Sequence, residues 1–270
     1  MLKPPWLRSP LFYQRPGPQL KISAFPFIST EMPRFYIDAP LAAGQLLDLP
    51  PDVAHHIHVV RLAPGDTLTL FDGTGGQYAA VLTEVGKKRA TAELGAFDPR
   101  DVELPYAVTL AQGLPEGTKM DWIVEKAVEL GVAAIEPLAA RRCVVRLSAE
   151  RAVKKLEHWR GVVVAAAEQS GRNRLATVAE PAELRDWIGT PAAGPRLLLS
   201  PRGTQSLAQW ARNAGPQAVT LMVGPEGGFT DEEEDAAVRA GATMVTMGPR
   251  VLRTETAALA AVAMLAALWE

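Results

Sequence analysis

From Tyr106 onward the chain repeats one pattern, an apolar run of strand length followed by a run of helix length, and this alternation leaves few folds open. "YAVTLAQGL" precedes "TKMDWIVEKAVELG"; "VAAIEPLA" precedes a long helical segment from about Ser148 to Ser170; "RLLLS" precedes a helix near Leu207 to Asn213. "VTLMVG", "TDEEEDAAVRAG", "ATMVTMG" and a final apolar helix complete the series. Strands separated by helices pair in parallel, because a parallel crossover needs a dozen or more residues, and helices then cover the sheet. The pattern predicts an α/β domain over residues 105–270, with ligands bound beyond the carboxyl ends of its strands.

Before this domain the grammar differs. Between Arg34 and Phe97 the chain alternates short strands and turns: "RFYI", "DTLTLFDG", "QYAAVLTEV" and "RATAELGAF". One helix interrupts them, "PDVAHHIHVVRL", with Val53, Ile57 and Val60 expected on one face. Short strands at this spacing suit a small closed barrel over residues 32–100. The linker-like "DPRDVELP", Asp98 to Pro105, joins the two parts. Residues 1–31 are dense in proline and hold no lasting period, so they are expected to be a disordered or non-native extension, with Met32 as the natural start.

Composition excludes several classes. The longest apolar run, "AALAAVAMLAALW", is too short to cross a bilayer, which needs roughly 18 residues or more, so no membrane partner is expected. Cys143 is the only cysteine, which removes disulfide frameworks and cysteine-built zinc sites within one chain and fits a cytoplasmic location. His55 and His58 lie one helical turn apart, but no cysteine or carboxylate pattern accompanies them, and no metal is expected. A net charge of −2 argues against a general nucleic-acid coat while permitting a local basic face.

Three breaks after strands are unusual: "LLLSPRG", "GPEGGF" and "GPRVLRTETAA". In the second, Thr230 and Glu233 form a capping-box pattern that satisfies the first donors of the following helix. A Walker loop requires a lysine that is absent, and the spacing is not that of a Rossmann loop. The only other glycine cluster, "DGTGGQY", leads into a strand and reads as a hairpin turn. A ligand with an adenine group and positive charge, such as S-adenosyl-L-methionine, suits a glycine loop that presents Glu226. In isolation "GPEGG" reads more readily as a tight strand-to-helix connection.

"GPEGGFTDEE" followed by "MGPRVLRTETAALAA" resembles the C-terminal signature of the SPOUT superfamily, within it the ribosomal small-subunit methyltransferase E family. "MDWIVEKAVELGV", "RCVVRL", "AAEQSGRNR" and "HHIHVVRL…GD…LFDG" are similar to that family in order and spacing, so the resemblance covers Met32 to Glu270. It implies a trefoil-knotted methyltransferase domain behind a PUA-like, RNA-binding barrel. The implied activity is S-adenosyl-L-methionine-dependent methylation of uridine N3 in 16S ribosomal RNA, free or in the assembled small subunit, by a homodimer that uses the final helix. The implied cofactor walls are Leu199 and Ser200, then Gly224, Pro225, Glu226, Gly227 and Gly228, then Met247, Gly248, Leu252, Arg253 and Thr254. Glu226 and Glu255 become candidate bases for the N3 proton, and Arg253 and Arg172 candidates for orienting the uracil; Arg34, Arg61, Arg172 and Arg174 become candidate RNA contacts. Lys87 to Arg89 also qualify as phosphate contacts, although lysines in an exposed turn are ordinary solubility chemistry. Two other readings stay open: a ribose 2′-O-methyltransferase, against which "LRTETAA" speaks, and a noncatalytic RNA-binding assembly factor.

Overall fold

The computed structural model describes residues 32–269, so the expectation for residues 1–31 lies outside the described residues. The first part contains β1 (Arg34–Tyr36), β2 (Leu46–Asp48), α1 (Pro51–Val59), β3 (Thr67–Phe71), β4 (Gln77–Val85) and β5 (Ala90–Asp98). They form a five-stranded sheet in the order β1-β3-β4-β5-β2. Alternation along β4 and β5 turns Ala80, Leu82, Ala92 and Leu94 inward, where they meet Val53, Ala54 and Ile57 of α1 in a core of their own. Val60 departs from the sequence expectation. The helix stops at Val59 and Arg61 takes a left-handed φ of 64°, so Val60 turns out to solvent at 46 % exposure.

The second part holds β6 (Val108–Gly113), α2 (Lys119–Glu129), β7 (Ala134–Ala139), α3 (Ala149–Ser170), β8 (Thr177–Val178), β9 (Ala182–Glu183), α4 (Leu184–Ile188) and β10 (Arg196–Leu199). It continues with β11 (Gln205–Ser206), α5 (Leu207–Ala214), β12 (Val219–Val223), α6 (Asp231–Arg239), β13 (Thr243–Thr246) and α7 (Thr254–Trp269). Every ladder in this sheet is parallel, in the order β11-β13-β10-β12-β6-β7-β8, with β9 on β7. The strands therefore read as nearly unbroken apolar runs, as a sheet covered on both faces requires, and β12 is buried at all five positions.

The strand order positions the site. β13, β10 and β12 are neighbours, so the three breaks that follow them must emerge side by side at one edge of the sheet. From β13 the chain runs back through residues 247–253 to α7, which packs on β12, β6 and α2. This passage lines one cavity together with the residues that follow β10 and β12. Sequence reading expected α7 to be buried on more than one face. Within the single chain only one face is covered, by Ala258, Ala261, Val262, Leu265 and Trp269, while Ala263 and Ala267 are exposed and Leu259, Met264 and Leu268 half-buried.

The motif "SGRNR" follows α3, which ends at Gly171 in the left-handed conformation. Its arginines stitch the two parts together. Arg172 is 3 % exposed; its guanidinium forms two hydrogen bonds with the Glu103 carboxylate and donates to the carbonyls of Val128 and Val132, both at 2.9 Å. Arg34 donates to Gln77 Oε1 and Asn173 Oδ1, each at 2.6 Å, and lies over the Phe71 ring. Arg174 donates to the Thr74 carbonyl at 2.6 Å. The roles expected of Arg172 and Arg34 on RNA are corrected accordingly: their donors are turned to protein partners. Arg61 stays on the exposed surface of the small part.

Candidate active site

At that edge lies a cavity of about 370 Å³, within the range of small-molecule sites. Its walls bring together Leu199 and Ser200 after β10, Gly224 to Gly228 after β12, and Met247, Gly248, Leu252 and Thr254 after β13. Arg253 is the exception among the expected wall residues; it is exposed to solvent and does not line the cavity. Its place in the sequence lies between two residues that do, and the turn into α7 rotates it outward.

The walls are locked by a short relay. The Thr254 hydroxyl donates to the Gly224 carbonyl at 2.6 Å and accepts from Gln112 Nε2 at 2.8 Å, while Gln112 Nε2 also donates to the Gly113 carbonyl at 2.8 Å. The ends of β6 and β12 and the first residue of α7 are thereby fixed to one another by side chains almost closed to water. Backbone proximity explains two of the glycines: a Cβ at Gly113 would stand 2.6 Å from the Pro225 nitrogen, and one at Gly224 would stand 2.8 Å from the Gly228 backbone. The glycine loop folds back on itself tightly, with the Gly228 amide donating to the Pro225 carbonyl at 2.8 Å.

The charged groups follow a consistent pattern. Glu226 accepts from the Glu116 amide at 3.0 Å and pairs with Lys119, the first residue of α2. Burial alone would raise the Glu226 carboxyl. The Lys119 hydrogen bond, the Glu116 and Glu226 amides and the Lys119 charge together outweigh burial, and the group is held below its ordinary range, so it is ionised at neutral pH. Arg142 enters the lining from the β7–α3 connection but donates to the carbonyls of Gly227 and Phe229, at 2.9 and 3.0 Å. Arg202 is engaged by Glu234 and Asp235 at 3.0 and 2.9 Å. The capping box of α6 is formed, Thr230 Oγ1 accepting from the Glu233 amide and the Glu233 carboxylate accepting from the Thr230 amide. That helix start does not call for an anion, and the Arg142 and Arg202 donors named above are turned to protein acceptors. Arg250, exposed to solvent, is a further cation in the lining.

Glu255 sits beside this group. Its charge contributes to raising the Lys119 pKa, after the Glu226 hydrogen bond, and its Oε2 is buried without a protein partner. Gln112, Lys119, Arg142 and Arg202 were missed by sequence reading. Lys119 and Arg142 lie inside or beside segments that carry the family resemblance, "MDWIVEKAVELGV" and "RCVVRL", and this was the one signal that pointed to them.

Comparison with known proteins bears on what this edge is for. A family profile described as an RNA methyltransferase domain matches residues 102–266, and one described as an RNA methyltransferase PUA domain matches residues 49–95. Ribosomal RNA small subunit methyltransferase E of Mycobacterium bovis is 35 % identical, covering 87 % of this chain and 93 % of its own. The Bacillus subtilis protein of the same name is 31 % identical, with 84 % and 93 % covered. The chain belongs to the ribosomal RNA small subunit methyltransferase E family. A crystal structure of the family's member from Neisseria gonorrhoeae, bound to S-adenosyl methionine, superposes with a TM-score of 0.82 at 42 % identity, over 88 % of this chain and 98 % of that one. The PUA-preceded α/β methyltransferase fold of the SPOUT class, expected from the sequence, is the fold of this family member.

Proposed function

We propose that this chain transfers the methyl group of S-adenosyl-L-methionine to N3 of a uridine in 16S ribosomal RNA of the small subunit. The reading rests on membership of the family and on one structural observation. Three neighbouring strand ends enclose a glycine-walled cavity whose lining includes an ionised carboxylate, Glu226, and whose Arg142 and Arg202 donors are committed to protein acceptors. The residues present fit the cofactor: bare backbone at Gly224, Gly227 and Gly228 admits close approach of adenosine, Leu199, Met247 and Leu252 supply apolar surface, and the carboxylate favours a cation. When bound, the cofactor supplies an electrophilic methyl group on a sulfonium.

Uridine N3 carries a proton that must leave as the new N–C bond forms. Glu226 and Glu255 are the candidates to receive it, and the Lys119 ammonium, paired with Glu226, is assigned to offsetting negative charge on a uracil carbonyl oxygen. Arg253, exposed to solvent between the cavity-lining Leu252 and Thr254, is assigned to orienting the uracil or its phosphate. The small part, residues 32–100, is assigned to RNA binding, with Arg61 at its surface, and residues 105–270 to catalysis. The half-covered apolar strip of α7, with Leu259, Met264 and Leu268, favours a homodimer formed through this helix, in the cytoplasm where the ribosome is assembled.

Mass mapping of 16S RNA nucleosides from cells with and without the protein tests the reading. Loss of 3-methyluridine is the expected result; an unchanged content overturns it, and loss of a ribose methyl selects 2′-O methylation instead. Purified Glu226→Gln and Glu255→Gln then separate the two bases, since removing a general base lowers kcat by about 10²–10⁴-fold.

A further inference from the structure

A second concavity, of about 560 Å³, is bounded by the same β7–α3 connection that carries Arg142 to the cofactor cavity. Four permanent cations, Arg146, Arg151, Lys154 and Lys155, together with His158, share its wall with one carboxylate, Asp121. Asp121 does not neutralise them. Its Oδ1 accepts from Trp159 Nε1 at 3.0 Å, its Oδ2 lies 3.0 Å from His158 Nε2, and Lys155 approaches no nearer than 4.0 Å. Lys154 pairs with Glu150, but with 71 % and 79 % of the side chains exposed that contact is weak.

A solvated helix face ordinarily mixes the two signs. Here Arg151, Lys154 and Lys155 follow the spacing i, i+3, i+4 and form one like-charged stripe, which disfavours the helix, with His158 next along the same face. Arg151 also sits in the first turn of α3, where the helix dipole disfavours a cation. Local helix physics opposes this placement, and the chain as a whole is slightly acidic at −2, so the stripe is not a by-product of a basic composition. Arg142 and Arg146 are separated by four residues of chain, which span at most about 14 Å, so one short segment serves both concavities.

We propose that this cleft docks the phosphate backbone of RNA adjoining the target nucleotide, supplying a phosphate-binding surface separate from the small domain. The proposal rests on the reading that the chain modifies ribosomal RNA. Arg146 and Arg151 present planar forks suited to phosphate oxygens, and Lys154 and Lys155 add point charges.

The test uses the full-length protein and a 16S RNA fragment containing the substrate uridine. In Arg151→Ala/Lys154→Ala/Lys155→Ala, Kd and KM for the RNA rise by about tenfold or more. The slope of log K against log salt shrinks by about 2, since three contacts to single-stranded RNA contribute about 0.7 each. S-adenosyl-L-methionine affinity by calorimetry, and kcat at saturating RNA, stay at wild-type values. A matched triple variant in the β4–β5 turn, Lys87→Ala/Lys88→Ala/Arg89→Ala, has a smaller effect. Unchanged RNA affinity and slope in the cleft variant, or equal losses in both variants, overturn the proposal. RNA binding that depends on the cleft without methyl transfer by the wild-type protein would instead overturn the functional reading and leave the cleft assignment standing.

Discussion

Thr254→Val tests whether the relay at the head of α7 holds the cofactor cavity together. Valine keeps the shape of threonine and removes only the hydroxyl, which at 5 % exposure has no water to replace its bonds. The Gly224 carbonyl then loses its 2.6 Å donor, and an orphaned buried acceptor costs about 1–3 kcal/mol. Gln112 Nε2 keeps the Gly113 carbonyl and loses one of two partners, roughly 1 kcal/mol more. The sum, about 2–4 kcal/mol, corresponds to a fall in Tm of roughly 4–16 °C for a domain of this size. Because Gly224 is cavity wall, part of the loss appears as weaker cofactor binding, tenfold being about 1.4 kcal/mol. Thr254→Ser keeps the hydroxyl and loses one methyl group, about 0.8 kcal/mol. Scanning calorimetry with and without S-adenosyl-L-methionine compares the two variants. Equal stabilities for valine and serine, with unchanged affinity, would show that packing, and not the hydroxyl relay, holds the loops.

Other outcomes follow from the same geometry. Gly113→Ala forces backbone apart at Pro225 and lowers stability by about 1–3 kcal/mol with a loss of cofactor affinity; a fully active, equally stable variant would contradict the close approach. Arg172→Ala leaves Glu103 and two carbonyls without their donor, costing about 3–5 kcal/mol in urea unfolding, while methyl transfer per folded molecule is unchanged; a stable but inactive variant would restore the catalytic role. Burial raises the Glu168 carboxyl above its ordinary 4.5, with the Tyr36 amide offsetting only part. A raised acid favours the fold most below the unfolded pKa and loses that contribution as pH rises through the folded value. Glu168→Gln therefore gains stability relative to wild type at pH 7 and not at pH 4; the opposite order in urea melts would contradict the assignment.

Much of the fold was legible because it depends on local pattern. Alternation of strand and helix lengths after Tyr106 implies parallel pairing, and parallel pairing implies that the breaks after β10, β12 and β13 open at one edge. The capping box at Thr230 and Glu233 was readable for the same reason, being complete within four residues. What escaped depends on distant partners. The charge and position of Arg172 gave no hint of Glu103, 69 residues away, nor did Gln112 announce Thr254, 142 residues on. Val60 fitted a helical face, and a single left-handed residue at Arg61 decided otherwise. The uniform apolarity of α7 predicted wider burial than one chain supplies, because hydropathy does not say whether the covering surface belongs to the same molecule.

Arg34, Arg172, Asn173 and Arg174 fasten the small sheet to the end of α3 and to the linker, and Met32–Glu270 clusters as one unit. The small sheet can part from the end of α3 only by breaking these bonds. A strand of RNA that touches the small domain while one of its bases enters the cavity has to supply the bend itself, and the energy of that bend is paid by the RNA's own folded shape. On the proposed function, selection among uridines can then operate on which segments of ribosomal RNA already hold the curve that this span demands.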